Sequence, residues 1–285
     1  MFLIVGYVII LASALGTYAI HGSLAALWMP TEYVAIVGLA LGSFLGSNDI
    51  TVIKATIGAL PGLFKGSKFN QAAYVDLLAM LFEVLAKVRK EGLMSIENDV
   101  ENPHESPIFG KYPSIANDHH VMEFITDYLR MMVGGNLNAL EIENLMDIEI
   151  ETHHHEVEVP GHAMAKTADA LPAFGIVVAV MGVVNVMGSV GEPPPVLGKM
   201  IGGALVGTFL GILVSYGFVS PIATRLEQKA HADSKVYQVI KVVLLASMSG
   251  YAPQVAVEFG RKVLFSGDRP SFIELEEELK SRRKK

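Results

Sequence analysis

Few side chains in this 285-residue chain are of a kind that does chemistry, so their positions carry weight. His153-His154-His155, with Glu151, Glu156 and Glu158, offers imidazole and carboxylate groups to a divalent metal. Adjacent histidines point different ways on a helix, and no second ligand pair has a standard spacing. The run therefore reads as solvated, and no metal site is expected from it. Gly191 and Gly198-Lys199 outline a phosphate loop, but three prolines lie between the glycines and Met200 stands where Ser or Thr is needed. There is no cysteine, which excludes disulfides and thiol chemistry. What remains is Asp169, Pro172, Thr208 and Pro221, all in or beside long apolar runs. Each proline withholds an N–H from the carbonyl four residues earlier, and in a lipid setting that carbonyl needs water or a side chain instead. Pro221 equally suits a plain helix end. Asp169 reads either as an interfacial acid at a helix N-terminus or as a pore-mouth carboxylate. Thr208 is the sole polar side chain from Met200 to Val214; such a threonine commonly bonds its own helix backbone, or else marks an ion path.

The elements that must position these groups are four uncharged stretches: Phe2 to Ile20, Tyr33 to Ser47, Ala170 to Gly188 and Met200 to Ser220. About 20 apolar residues in a helix match the ~30 Å hydrocarbon core of a bilayer. Twenty-one of the 22 Lys and Arg residues fall between Asn48 and Thr167 or between Ile222 and Lys285, which assigns both segments to the cytoplasmic side. Both termini are then cytoplasmic, and only residues 21–32 and 189–198 face outward. The first stretch lacks the basic flank of a signal peptide and exceeds the usual length, so it reads as a retained span. The second, at 15 residues, is short enough that a re-entrant helix competes with a full crossing. Gly38, Gly42 and Gly46 in span two, and Gly203, Gly207 and Gly211 in span four, line one face each and predict close helix packing. No span holds an ionisable residue at its centre, so the chain alone supplies no titrating site at mid-membrane.

The expected fold is an all-α integral membrane protein. Residues 1–47 form one transmembrane hairpin (spans about 2–20 and 33–47), and 48–167 a cytoplasmic helical domain. Residues 168–221 form a second hairpin (spans about 170–188 and 200–220), and 222–285 a cytoplasmic helical tail. In the inner block the helix of span two is expected to run past Asn48-Asp49 and to end or bend at Pro61. Further helices are expected over Asn70–Lys90, from a possible N-cap at Ser95, over His119–Val133 and over Leu137–Glu151, with breaks at Gly92 and Gly134-Gly135. No period-two strand pattern appears.

Three segments carry a family resemblance. Leu171-Pro172-Ala173-Phe174-Gly175-Ile176-Val177, Val206-Gly207-Thr208-Phe209-Leu210-Gly211-Ile212-Leu213 and Tyr216-Gly217-Phe218-Val219-Ser220-Pro221 resemble the third and fourth transmembrane helices of the MotA family of flagellar stator proteins. The similarity runs from Gly6 to Glu278 and includes Ser95-Ile96-Glu97, Glu101-Asn102-Pro103, Gly250-Tyr251-Ala252-Pro253 and Val257-Glu258-Phe259-Gly260-Arg261-Lys262.

The resemblance implies a multi-pass protein of the bacterial inner membrane that is not an enzyme and needs no cofactor. It implies a pentameric ring around two MotB chains, whose membrane Asp carries the ion, and a push on the rotor protein FliG. Pro172 and Pro221 match family prolines linked to coupling, and Thr208 and Tyr216 match pore-lining positions. Arg89 and Glu97 match the charged pair that engages FliG; by themselves they are a helix-end charge and a first-turn acid. Sodium-driven relatives carry a hydroxyl where this chain has Ala179, which points to H+ as the transported ion. The competing readings are a TolQ/ExbB-type envelope energiser, which has three spans, and a membrane metal transporter or enzyme using His153–His155.

Overall fold

The computed structural model describes residues 2–64, 66, 68–135 and 138–283. Leu137, Lys284 and Lys285 lie outside the described residues. In chain order the α-helices are α1 Phe2–His21, α2 Pro30–Ser47, α3 Ile50–Ala59, α4 Gln71–Glu91, α5 Glu97–Glu101, α6 Pro113–Ala116, α7 His119–Gly134 and α8 Ala139–Met187. They continue with α9 Pro194–Val214, α10 Ser220–Asp233, α11 Lys235–Met248, α12 Pro253–Val263 and α13 Phe272–Arg283. Short 3-10 turns lie between several of them, and no strand occurs among the described residues. Four helical stretches are long and apolar enough to cross a membrane. The second begins at Pro30, a favoured first-turn residue, so α2 has 18 residues and spans roughly 27 Å. That length is close to the ~30 Å of a bilayer's hydrocarbon core.

The chain divides into two compact units, Met1–Gly66 with Val157–Lys229, and Ser67–Glu156 with Ala230–Lys285. The first unit holds the four apolar stretches. Its own core is small: Ile36 and Ala40 of α2, Leu171 and Val178 of α8, and Val206 and Leu210 of α9. Large apolar side chains such as Ile4, Val8, Val34, Val180, Val184 and Leu205 stay exposed, as lipid-facing residues would.

The second unit is built around a larger helical core. Leu77, Leu78, Leu81 and Leu85 of α4 are sealed against α11 and α12, which come from the other end of the chain. Gly260 of α12 permits that approach: a Cβ there would lie 2.5 Å from Val243 Cγ2 and 3.0 Å from Leu78 Cδ2. The buried Asp99 accepts from Lys87 Nζ at 2.7 Å and Ser106 Oγ at 2.6 Å. Arg261, also buried, donates to both carboxylate oxygens of Glu258 and to Pro270 O. Hydrogen bonding from Arg261 holds the Glu258 carboxyl below the usual glutamate range.

Four local expectations are corrected. Helix α2 does not run through Asn48: that residue is extended, and Asp49 caps a new helix by accepting from Val52 N at 2.9 Å. Ser95 is not an N-cap. Gly92, at φ +87°, starts a 3-10 turn, Ser95 Oγ turns back to Gly92 O, and α5 follows from Ile96. The helix expected to end near Glu151 instead belongs to α8, which continues through Pro160 and Pro172 to Met187. Pro221 ends no helix; it is the second residue of α10, entered from a π-helical turn at Ser215–Val219.

Candidate functional site

The site grows from two helices that touch backbone to backbone. A Cβ on Gly175 of α8 would lie 2.8 Å from Gly207 O and 3.0 Å from Gly211 Cα. One on Gly211 of α9 would lie 2.7 Å from Leu171 O. Gly182 faces Ala204 in the same way, and Gly203 faces Met29. The glycine face expected in span four is therefore a packing face. The one in span two is different: Gly38, Gly42 and Gly46 meet nothing within 4 Å.

This close approach brings a donor to the carbonyl that Pro172 leaves free. Ser215 Oγ donates to Ala168 O at 2.6 Å, four residues before Pro172, and the serine is fully buried. The requirement for a substitute partner was legible from the proline; the identity of that partner, 47 residues on, was not. Ser215 also opens the π-helical turn, where Ser220 N–H reaches back five residues to Ser215 O. The wide turn suits the approach to Pro221, which has no N–H to continue α-helical bonding. Tyr7 of α1 braces it, donating to Phe218 O at 2.8 Å with its ring 4.9 Å from Phe218.

Around this joint lie the residues singled out from the sequence. Pro172 and Pro221 are half-buried, and so is Ala179, whose backbone N would stand 3.3 Å from a Cβ on Gly207. Thr208 is half-buried and its hydroxyl makes no hydrogen bond to any described residue, whereas the Thr167 hydroxyl bonds Ala163 O at 2.9 Å. The self-bonded role that threonine commonly takes does not hold at Thr208. Tyr216 is 63% exposed, and Asp169 is exposed with no ion pair among the described residues. Thr208 and Tyr216 thus add polar groups to a span that has no charge at mid-depth.

In the second unit Arg89, on the last turn of α4, lines a groove of about 720 Å³ with Lys87, Lys90, Lys111, Arg282 and Glu83. Its Nη1 donates to Gly250 O at 3.4 Å. Pro253, at the start of α12, borders the same groove. Glu97 is exposed at the start of α5 and does not pair with Arg89. The three histidines diverge. His153 stacks edge-on to Tyr237 at 4.6 Å, His154 Nδ1 is 3.4 Å from Ser234 Oγ, and His155 is 3.8 Å from Glu151.

Comparison with known proteins identifies the arrangement. The Motility protein A N-terminal model matches residues 4–92, and the MotA/TolQ/ExbB proton channel family model matches residues 116–239. Motility protein A of Escherichia coli (strain K12) is 52% identical over 282 residues, covering 99% of this chain and 96% of that protein. The fold matches the structure of C. jejuni MotAB with a TM-score of 0.76 at 22% identity, covering 94% of this chain and 98% of that one. It matches the Bacillus subtilis flagellar MotAB stator complex with a TM-score of 0.71 at 24% identity, covering 90% and 92%. Whole-length likeness to motility proteins disfavours the TolQ/ExbB reading, and a proton channel family is not an enzyme family. With four apolar spans, the chain is a multi-pass membrane protein and belongs to the MotA/TolQ/ExbB proton channel family, among the motility proteins A.

Proposed function

We propose that this chain is a flagellar stator subunit that, with a MotB partner, conducts protons and converts their flow into a push on the rotor. The observation that carries the reading is the 52% identity to a motility protein A across 282 residues, which takes in both compact units. On this reading both termini and the second unit are cytoplasmic, residues 21–32 and 189–198 face outward, and five copies surround two MotB chains in the inner membrane. The carboxylate that carries the proton comes from the partner, because a bare charge at mid-bilayer costs at least several kcal/mol and no span of this chain has one. Thr208, Tyr216 and Ala179 line the path, Asp169 stands at its inner mouth, and Pro172 and Pro221 transmit movement. Ala179 offers no oxygen to replace sodium's water shell, which favours protons. Arg89 and Glu97 meet FliG through exposed charges, with neither committed to the other.

The test is cytoplasmic pH after an external acid pulse. The chain expressed alone should leak almost no protons. Co-expression with a MotB partner lacking its plug segment should acidify the cell, and changing the partner's membrane Asp to Ala should stop it. Rapid acidification without any partner would place the conducting site inside this chain and overturn the shared-site mechanism.

A further inference from the structure

Nine histidines are many for a chain without cysteine, and the run at 153–155 is not where they converge. His119, His120 and Glu123 do converge: their ligand atoms all lie within 4.8 Å of one another. His119 Nδ1 is 3.5 Å from Glu123 Oε2, one helical turn along α7. The placement is fixed from beneath. Asp118 caps α7 by accepting from Val121 N, and Val121, Met122, Phe124 and Ile125 anchor the other face in the core. His119 and Glu123 border a solvent-open cleft of about 480 Å³ that His104 also lines. On the other side, the His153 ring lies 6.5 Å from that of His120.

From this geometry we infer that His119, His120 and Glu123 form a binding site for a borderline divalent transition metal such as zinc, nickel or cobalt. Two imidazoles and one carboxylate are a donor set these ions accept, with bonds of about 2.0–2.2 Å for zinc, and small rotamer changes at three exposed side chains suffice to close on an ion. Hard cations are disfavoured by the nitrogen ligands, because magnesium and calcium select oxygen. His104, which lines the same cleft, and His153 beside His120 are further imidazoles that could complete the coordination. The inference concerns the second unit alone and does not depend on the stator reading.

The test uses the full chain purified in detergent through a tag without histidine. Zinc titration by calorimetry should give one saturable equivalent that excess magnesium does not displace, and cobalt should develop visible absorption bands as it binds. His119→Ala and Glu123→Gln should each weaken zinc binding by about tenfold or more, the scale reached even by losses around a metal site. His155→Ala, which removes an exposed histidine beside Glu151 only, should leave binding unchanged. Absence of saturable binding, or binding of several equivalents indifferent to His119→Ala and Glu123→Gln, would overturn the site and reduce it to loose capture by scattered histidines.

Discussion

Helices α4 and α9 have the same length, 21 residues each, and both are rich in apolar side chains, yet they solve opposite problems. In α4 the leucines are sealed inside the second unit, and the C-terminal turn carries Arg89, Lys90 and Glu91. In α9 the buried positions are Gly203, Ala204, Val206, Gly207, Leu210 and Gly211, while Ile201, Leu205 and Ile212 stay outside. Water drives side chains inward in the first case. Lipid offers no such drive, so the second case relies on small residues that let backbones touch, plus polar bonds where a proline has left a carbonyl bare. Joints in the membrane unit should therefore fail by steric contact, and those in the helical unit by loss of buried side chains.

The largest expected effect tests the steric half of that contrast. Gly211→Leu places a side chain against Leu171 O and Gly175, neither of which can move without parting α8 from α9. Folded protein should not accumulate in the membrane, and swimming should be lost. Gly42→Ala, where space is open, should be neutral or stabilising by up to about 1 kcal/mol in the isolated chain, from helix propensity alone. If Gly42→Ala weakens only the assembled complex, the span-two glycines are an interface between copies rather than a face toward lipid.

Arg261→Ala comes next and probes the helical unit. Removing one partner of a buried ion pair costs about 3 kcal/mol or more, and the thermal midpoint of the purified chain should fall accordingly. The sign of the pH dependence follows from Glu258, whose folded pKa is depressed. The contribution of the pair is complete above the unfolded glutamate pKa of about 4.3, and it is lost as pH falls through the lower folded value. Thermal scans across that range should show a steeper loss in the parent than in Arg261→Ala. Equal slopes would remove this pair from the account of acid stability.

Ser215→Ala is smaller, about 1–3 kcal/mol, the cost of leaving a buried acceptor unpaired. The decisive form is a double-mutant cycle. Pro172→Ala restores an N–H for Ala168 O, so Ser215→Ala should cost less in that background. Additive effects on the unfolding midpoint would show that the serine and the proline act separately.

The smallest effect on stability belongs to Arg89→Ala, about 0–1 kcal/mol, because the residue is exposed. Its signature should be motility: Arg89→Glu with Glu97→Lys should impair swimming while membrane levels stay normal. Normal swimming of that double variant would take both residues out of the rotor contact.

Much of this was legible in the residues. The four apolar runs, the glycine face of span four and the helix stop at Gly92 rest on local rules of hydropathy, packing size and backbone freedom. Where local reading went astray, a stronger local competitor won. Asp49 captured Val52 N and ended the continuity through Asn48, and the positive φ of Gly92 turned Ser95 away from capping. At the candidate site, Pro172, Pro221 and Thr208 stood out as residue types in an apolar setting, while Tyr216 entered only through the family resemblance. Ser215 did not stand out, because a serine beside a tyrosine carries no mark of its partner.

The sequence by itself determined which segments are too apolar for water, how many there are, where their helices are interrupted and which carbonyls the prolines would leave bare. These properties depend on neighbours within a few residues. Only the tertiary structure decided that Ser215 serves the carbonyl of Ala168, that α11 and α12 from the tail close the core over α4, and that His119, His120 and Glu123, rather than the three adjacent histidines, come together. Contacts between distant elements depend on helix rotation and crossing. A turn of one residue moves a side chain by about 100°, and local pattern does not fix that rotation to the accuracy a hydrogen bond requires.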